Sequence, residues 1–72
     1  MQLKKFVKEK RRLANLTQSD LAEKAGVGLR FIREMEQGKE ALRMDKVNQV
    51  LKLFGYELGP VEMTRDFIIN EQ

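Results

Sequence analysis

The chain has 72 residues, a formal net charge of +3, and neither cysteine nor histidine. This length allows one domain at most. Because disulfides and thiolate metal sites are excluded, and the commonest general base and metal ligand is missing, we expect no enzyme, no metal and no cofactor. No apolar run approaches the roughly 20 residues of a membrane span, and charges interrupt any signal-peptide core, which favours a cytoplasmic location.

The first predicted element is a basic helix over about residues 2–14. Apolar residues recur near the helical period of 3.6, and lysines and arginines fill most other positions. Asn15 marks its end. A basic amphipathic helix could also lie on a membrane surface, but this one needs its apolar stripe to close the core. That stripe comprises Leu3, Phe6, Val7, Leu13 and Ala14.

The second predicted helix begins after Thr17, a residue type that caps helix N-termini well. Asp20 follows three residues later, like a capping box with Asp in place of Glu. Gly26 suits the left-handed position that ends a helix. The inner face of this helix is formed by Leu21, Ala22 and Ala25.

A third helix is predicted over about residues 29–37. Gly28 is a tolerable N-cap for it, and Gly38 ends it. Ile32 and Met35, spaced at i and i+3, point inward. The elbow between the second and third helices is therefore tight and closed by apolar side chains.

A fourth helix is predicted to be capped by Asp45 and to end at Gly55. Leu53 lies off its apolar stripe and is a candidate for contact with a partner. The stripe itself comprises Val47, Val50, Leu51 and Phe54.

After Gly55 the hydrophobic period changes from 3.6 to 2, which predicts a short strand over about residues 56–61. Pro60 cannot donate to a central ladder, so the strand is an edge or ends there. A lone strand in a helical chain has nothing in its own fold to pair with. The simplest solution is a homodimer in which two copies of this strand pair. The expected interface residues are Tyr56, Leu58 and Val61.

The helix, glycine-marked turn and helix of residues 17–38 predict a helix-turn-helix, which presents one helix to the DNA major groove. Positive charge is concentrated in the same half of the chain. Residues 1–39 carry a net charge of +5 and residues 40–72 a net charge of −2. A polyanion would therefore bind the first half. A merely solubilising surface is the alternative interpretation.

Four residues around the start of the third helix are candidate base contacts. Arg30 is the first choice, because arginine bonds bidentately to guanine O6 and N7. Leu29 could touch a thymine methyl group, and Gly28 lets the backbone approach DNA closely. Glu34 either accepts from a cytosine amine or orients Arg30 as an i, i+4 pair, and we favour orientation. The alternatives are a simple cap, surface side chains and, for Arg30, a phosphate clamp.

Phosphate contacts are expected to flank these base contacts. Gln18 stands at the start of the second helix, where backbone N–H groups and the helix dipole attract a phosphate. The alternative for each candidate is a solvated polar residue. Phe31 is expected instead to pack against the fourth helix or the strand region. The candidate phosphate contacts are Thr17, Gln18, Arg33, Lys39 and Arg43.

The segment Leu-Thr-Gln-Ser-Asp-Leu-Ala-Glu-Lys-Ala-Gly-Val at 16–27, with Ile-Arg-Glu-Met-Glu-Gln-Gly-Lys at 32–39, resembles the Cro/C1-type (XRE) helix-turn-helix family. The resemblance covers about residues 3–55. It implies an all-α, lambda-repressor-like domain of four to five helices. It also implies an ion pair between Arg11 and Glu36, and a phosphate contact at Gln18. The family's usual Ser, Thr or Gln is replaced at positions 28–30, so the operator sequence does not carry over.

The segment Leu-Lys-Leu-Phe-Gly-Tyr-Glu-Leu at 51–58 is similar to the HipB-like antitoxins. That resemblance implies a strand that pairs across a dimer, repression of the protein's own operon, and a HipA-like kinase toxin as partner. We therefore divide the chain into a DNA-binding domain over 1–55 and a dimerisation strand with a tail over 56–72. The apolar cluster of the tail engages a partner, as we favour, docks on the dimer, or is simply part of a frayed terminus. The cluster comprises Phe67, Ile68 and Ile69.

Two other functions stay open at this point. A free-standing phage-like repressor would bind palindromic operator DNA without a toxin. A protein-interaction module would use its helix surfaces for a partner and would not bind specific DNA.

Overall fold

A computed structural model describes residues 3–62 of the chain. The cluster Phe67, Ile68 and Ile69 lies outside the described residues. Four helices confirm the predicted all-α, lambda-repressor-like fold, whereas the division of the chain at residue 55 stays a prediction. The helices are α1 (Leu3–Leu13), α2 (Gln18–Ala25), α3 (Leu29–Glu36) and α4 (Met44–Leu53).

The core draws apolar side chains from all four helices. α3 packs against α1 and α2, and α2 also packs against α4. Burial of these side chains, rather than intrinsic helix propensity, stabilises helices as short as eight residues. The buried core residues are Val7, Leu21, Ala22, Ile32, Met35, Val47, Val50 and Leu51.

The ends of α2 carry the local signals that the sequence predicts. The hydroxyl of Thr17 accepts from the Asp20 amide at 3.0 Å, and the Asp20 carboxylate accepts from the Thr17 amide at 3.0 Å. This reciprocal capping box satisfies two amides that the helix itself cannot. At the other end, Gly26 has a φ of 75°, the left-handed conformation that glycine adopts without steric cost.

The C-terminal end of α1 differs from the prediction. Leu13 is 74% exposed and Ala14 also faces solvent, so neither belongs to the inner stripe. Leu13 lies six residues after Val7, which places it about a third of a turn away from the buried face. The position four residues after Val7 holds Arg11, so a basic residue ends the inner face of this helix.

The start of α4 also differs from the prediction. The N-cap position is Arg43, and Asp45 lies within the first turn of the helix. The Asp45 carboxylate accepts from the Arg43 guanidinium at 3.1 and 2.7 Å, and its Oδ1 also accepts from the backbone amide of Lys46 at 2.9 Å. From inside the first turn, the carboxylate thus binds both the cation at the N-cap position and one of the free amides at the start of the helix. Leu53 is 41% exposed, which agrees with its predicted position off the apolar stripe.

Within the described residues, the segment after α4 forms no strand. The strand predicted over residues 56–61 is therefore not formed inside the chain, which offers it no neighbouring strand, and its pairing with a second copy stays a prediction. The segment is fastened to its own helices. The Tyr56 amide donates to Leu51 O at 2.9 Å, and the Leu58 amide donates to Asn48 Oδ1 at 2.7 Å. The Tyr56 ring also packs edge-on against Phe6, with centroids 4.8 Å apart.

Candidate nucleic-acid interface

A short elbow fixes the angle between α2 and α3. Gly26 turns the chain, and the Val27 amide donates to Ala22 O at 3.0 Å. Gly28 then occupies the N-cap position of α3 with φ −73° and ψ 151°. Ile32 is fully buried beneath the elbow. One face of α3 is therefore held by the core, and the opposite face is presented to solvent.

The predicted base contacts do not all share this solvent face. Gly28, Arg30 and Glu34 line one open groove of about 370 Å³ between α3 and the loop that follows it. Arg30 extends furthest, with 91% of its side chain exposed. Leu29 is half-buried and packs against the core, outside the lining of this groove. No atom lies within 4 Å of a Cβ built on Gly28, so the surface there is open.

Glu34 organises the charges in the groove. Its carboxylate lies 3.5 Å from Arg30 Nε and 3.2 Å from Lys39 Nζ. Exposed pairs of this type contribute little to stability, about 0–1 kcal/mol. Their effect is geometric, because one carboxylate aligns a cation on α3 with a cation on the following loop.

A network beneath the interface ties α1, α2 and α3 together. Arg11 donates to both Glu36 carboxylate oxygens at 2.7 and 3.0 Å and to Leu16 O at 2.9 Å. Gln18 Nε2 donates to Glu36 Oε1 at 3.1 Å. The Arg11 and Glu36 side chains are only 13% and 3% exposed. Bidentate geometry fixes both position and orientation, so this network sets where α3 lies.

The network shifts the pKa values of both charged members. Burial raises the pKa of the Glu36 carboxyl, but the hydrogen bonds from Arg11 and Gln18 outweigh burial, so the net pKa is lowered. The hydrogen bond to Glu36 raises the pKa of Arg11. Both shifts favour the charged pair.

The structure places the predicted phosphate contacts in different situations. The Thr17 hydroxyl accepts from the Asp20 amide, which leaves its proton free for a further acceptor. Gln18 is tied to Glu36, Lys39 to Glu34, and Arg43 to Asp45. Arg33 is exposed on α3.

Sequence reasoning missed the contact between Lys46 and Phe31. Lys46 Nζ lies 6.0 Å from the centroid of the Phe31 ring, at the far side of the same groove. Phe31 does pack toward α4, as expected. The contact joins residues on two helices across a loop, so no spacing rule within one helix could reveal it. The bond between Gln18 and Glu36 was missed for the same reason.

The described residues show neither a group of metal-ligating side chains nor a helix long and apolar enough to cross a membrane. What they do show is a rigid two-helix elbow, an outward-facing second helix and flanking cations, which define a helix-turn-helix domain. The family described as Helix-turn-helix matches residues 7–61. The chain belongs to this family, of the Cro/C1 type, whose members are DNA-binding regulators.

Similarity to individual proteins agrees with this family. The "Uncharacterized HTH-type transcriptional regulator y4mF" of Sinorhizobium fredii (strain NBRC 101917 / NGR234) is 51% identical to the chain over 45 residues. The match covers 62% of this chain and 59% of that protein. The matched segment thus spans about three fifths of the length of this relative. No solved structure matches the chain.

Proposed function

We propose that the protein is a sequence-specific transcriptional repressor that binds palindromic DNA as a homodimer, and that it is the autoregulatory antitoxin of a HipA-like kinase toxin. The single observation that carries the DNA-binding part is the outward face of α3. It is basic and solvent-exposed, and it is fixed in direction by the buried ion pair between Arg11 and Glu36. A rigid helix whose exposed side chains donate hydrogen bonds is what major-groove readout requires.

The residue that we assign to base readout is Arg30. Its guanidinium is free of the core and held from one side by Glu34. Phosphate contacts at Thr17, Gln18 and Lys39 would flank it. Leu29 can reach DNA only with the part of its side chain that the core leaves exposed.

Homodimerisation is supported by apolar surface beyond the core. Tyr56 and Val61 are exposed in the segment after α4, and Leu58 lies half-buried between them. A 72-residue chain has a small core, and oligomerisation is one way in which small domains gain stability. Two copies would also place two recognition helices on one face of the duplex.

The antitoxin role rests on the resemblance of residues 51–58 to HipB-like antitoxins. Purification of the native protein from its host, followed by mass spectrometry of what travels with it, tests this role. A stoichiometric kinase-sized protein supports the antitoxin. DNA binding without such a partner supports the free-standing repressor instead. Deletion of residues 62–72 should release the toxin while leaving DNA binding intact, if the tail is the partner site.

Base readout is tested by titrating variants against a panel of single-base operator variants. Arg30→Ala should lower affinity for the preferred site by about 1–3 kcal/mol and relax selectivity at one position. Arg33→Ala is the matched control, since it removes the same side chain from the same helix and should weaken all sequences equally. An equal loss for Arg30→Ala on every variant would make Arg30 a phosphate contact. Absence of salt-dependent duplex binding by the wild type would favour the protein-interaction module.

A further inference from the structure

The groove beside α3 contains more positive charge than its predicted DNA contacts account for. It is lined by four cationic side chains and one carboxylate, and the lining runs from α3 through the loop to the first turn of α4. Three of the cations were predicted to contact DNA from the sequence. The fourth, Lys46, has no assigned role. The charged residues of the groove are Arg30, Glu34, Lys39, Arg43 and Lys46.

The three predicted cations are already paired with carboxylates. Arg30 and Lys39 share Glu34, and Arg43 contacts Asp45 at 2.7 Å. Each carboxylate offsets part of the positive charge beside it and opposes the approach of a phosphate. Their net attraction for DNA is therefore reduced.

Lys46 differs from these three cations in the partner of its charged group. Over residues 3–62 no carboxylate lies within ion-pair distance of its ammonium group. The ammonium lies instead 6.0 Å from the centroid of the Phe31 ring, and both side chains are half-buried. The negative face of an aromatic ring attracts a cation without neutralising it. The ring can thus hold Lys46 in place while its full charge stays available.

We propose that Lys46, supported by the ring of Phe31, binds a DNA backbone phosphate in this groove, and that Phe31 is its positioning residue. The proposal rests on the proposed function only in requiring that the α3 face meets a duplex. It assigns Phe31 to the support of a phosphate contact rather than to base reading. It also makes Lys46 the cation of the groove whose charge no carboxylate offsets at ion-pair distance within residues 3–62.

The test is a salt titration of binding to a mixed-sequence DNA duplex of about 20 base pairs, two helical turns long. Lys46→Gln should reduce the slope of log Kobs against log salt by about 0.9 for each bound subunit. At about 0.1 M salt this change in slope corresponds to roughly eightfold weaker DNA binding per subunit than in the wild type. Lys52→Gln is the matched control, since it removes one charge from an exposed site on the same helix outside the groove. Equal slopes for the two variants would overturn the proposal.

The role of Phe31 needs a second set of variants. Lys46→Arg should keep the wild-type slope, because arginine also carries a charge and stacks on rings. In a Phe31→Leu background, Lys46→Gln should weaken DNA binding by clearly less than it does in the wild-type background. The positioning role would be overturned if Lys46→Gln weakened DNA binding equally in both backgrounds. It would also be overturned if Phe31→Leu weakened binding to one operator sequence alone. A wild type that binds no duplex contradicts the proposed function itself, whereas equal slopes for Lys46→Gln and Lys52→Gln contradict only this assignment.

Discussion

Glu36 accepts hydrogen bonds from more elements than any other charged side chain in the described residues. Its two oxygens accept from Arg11 on α1 and Gln18 on α2, and they do so from a position that is almost wholly buried. Glu36→Ala should therefore leave the Arg11 guanidinium without its counter-ion and lower the free energy of unfolding by about 3–5 kcal/mol. Urea denaturation followed by circular dichroism measures this loss.

A double variant serves as the control for the Glu36 prediction. Arg11→Met combined with Glu36→Leu removes both charges together and should be clearly more stable than Glu36→Ala alone. If Glu36→Ala unfolds at the wild-type urea concentration, the ion pair does not hold the helices together.

Three carboxyl groups with lowered pKa values make the free energy of unfolding depend on pH in the acid range. The pKa of Glu36 is lowered below its ordinary value of 4.5, because its hydrogen bonds outweigh its burial. The pKa of Asp20 is lowered by the Thr17 amide and that of Asp45 by the Arg43 guanidinium, both below 3.8. A lowered pKa in the folded state stabilises the protein above the unfolded pKa, and this stability is lost as pH falls through the folded value.

We therefore expect the free energy of unfolding to be level between about pH 7 and 5 and to decrease below about pH 4.5. Urea midpoints measured across this range test the prediction. In Glu36→Gln the acid-dependent part should be smaller, since one of the three groups no longer titrates. A wild-type protein that becomes more stable on acidification would contradict the assigned pKa directions.

At the scale of helices, the sequence predicts best where the signal is local. The capping box of Thr17 and Asp20 and the left-handed Gly26 lie within ten residues of one another and bound α2 correctly. The predicted cap of α4 was wrong because Asp45 binds the Arg43 guanidinium and the Lys46 amide from inside the first turn, and residue type alone does not separate this position from the N-cap. The prediction that Leu13 lies on the inner stripe of α1 was wrong, because this apolar residue lies about a third of a turn away from the buried face.

The same limit applies to the candidate site. The outward face of α3 follows from helical periodicity, so Arg30 and Glu34 could be placed from the sequence. The ion pair of Arg11 and Glu36 was expected only through family resemblance. The contact of Lys46 with Phe31 joins two helices across a loop, and local patterns contain no information about such contacts.

The cap of α2 yields a prediction for a single element. Thr17→Ala removes the acceptor for the Asp20 amide and should lower the free energy of unfolding by about 1 kcal/mol. Thr17→Ser keeps the hydroxyl and should retain most of the stability, and Ser19→Ala at an exposed site of the same helix is the control. Equal urea midpoints for Thr17→Ala and the control would show that the helix does not depend on this cap.

At the scale of the whole molecule, the described residues leave several large apolar side chains in solvent. Val61 is 87% exposed, and Met44, Leu53 and Tyr56 are also exposed. We predict a dimer whose recognition helices lie about 34 Å apart, one turn of DNA. Sedimentation at micromolar concentration, with and without operator DNA, should show two chains. A monomer under both conditions would contradict the prediction.

The hydrogen bonds after α4 determine which edge of the following segment a second copy can reach. The Tyr56 amide already donates to Leu51 O, and the Leu58 amide already donates to Asn48 Oδ1. In an extended segment alternate amides point to opposite sides, and Pro60, next on the occupied side, has none. A pairing segment is thus open along one edge and closed along the other. If two copies pair through this segment, each can accept a single neighbour and cannot template a third, so we expect association to stop at two chains instead of growing into an open-ended sheet.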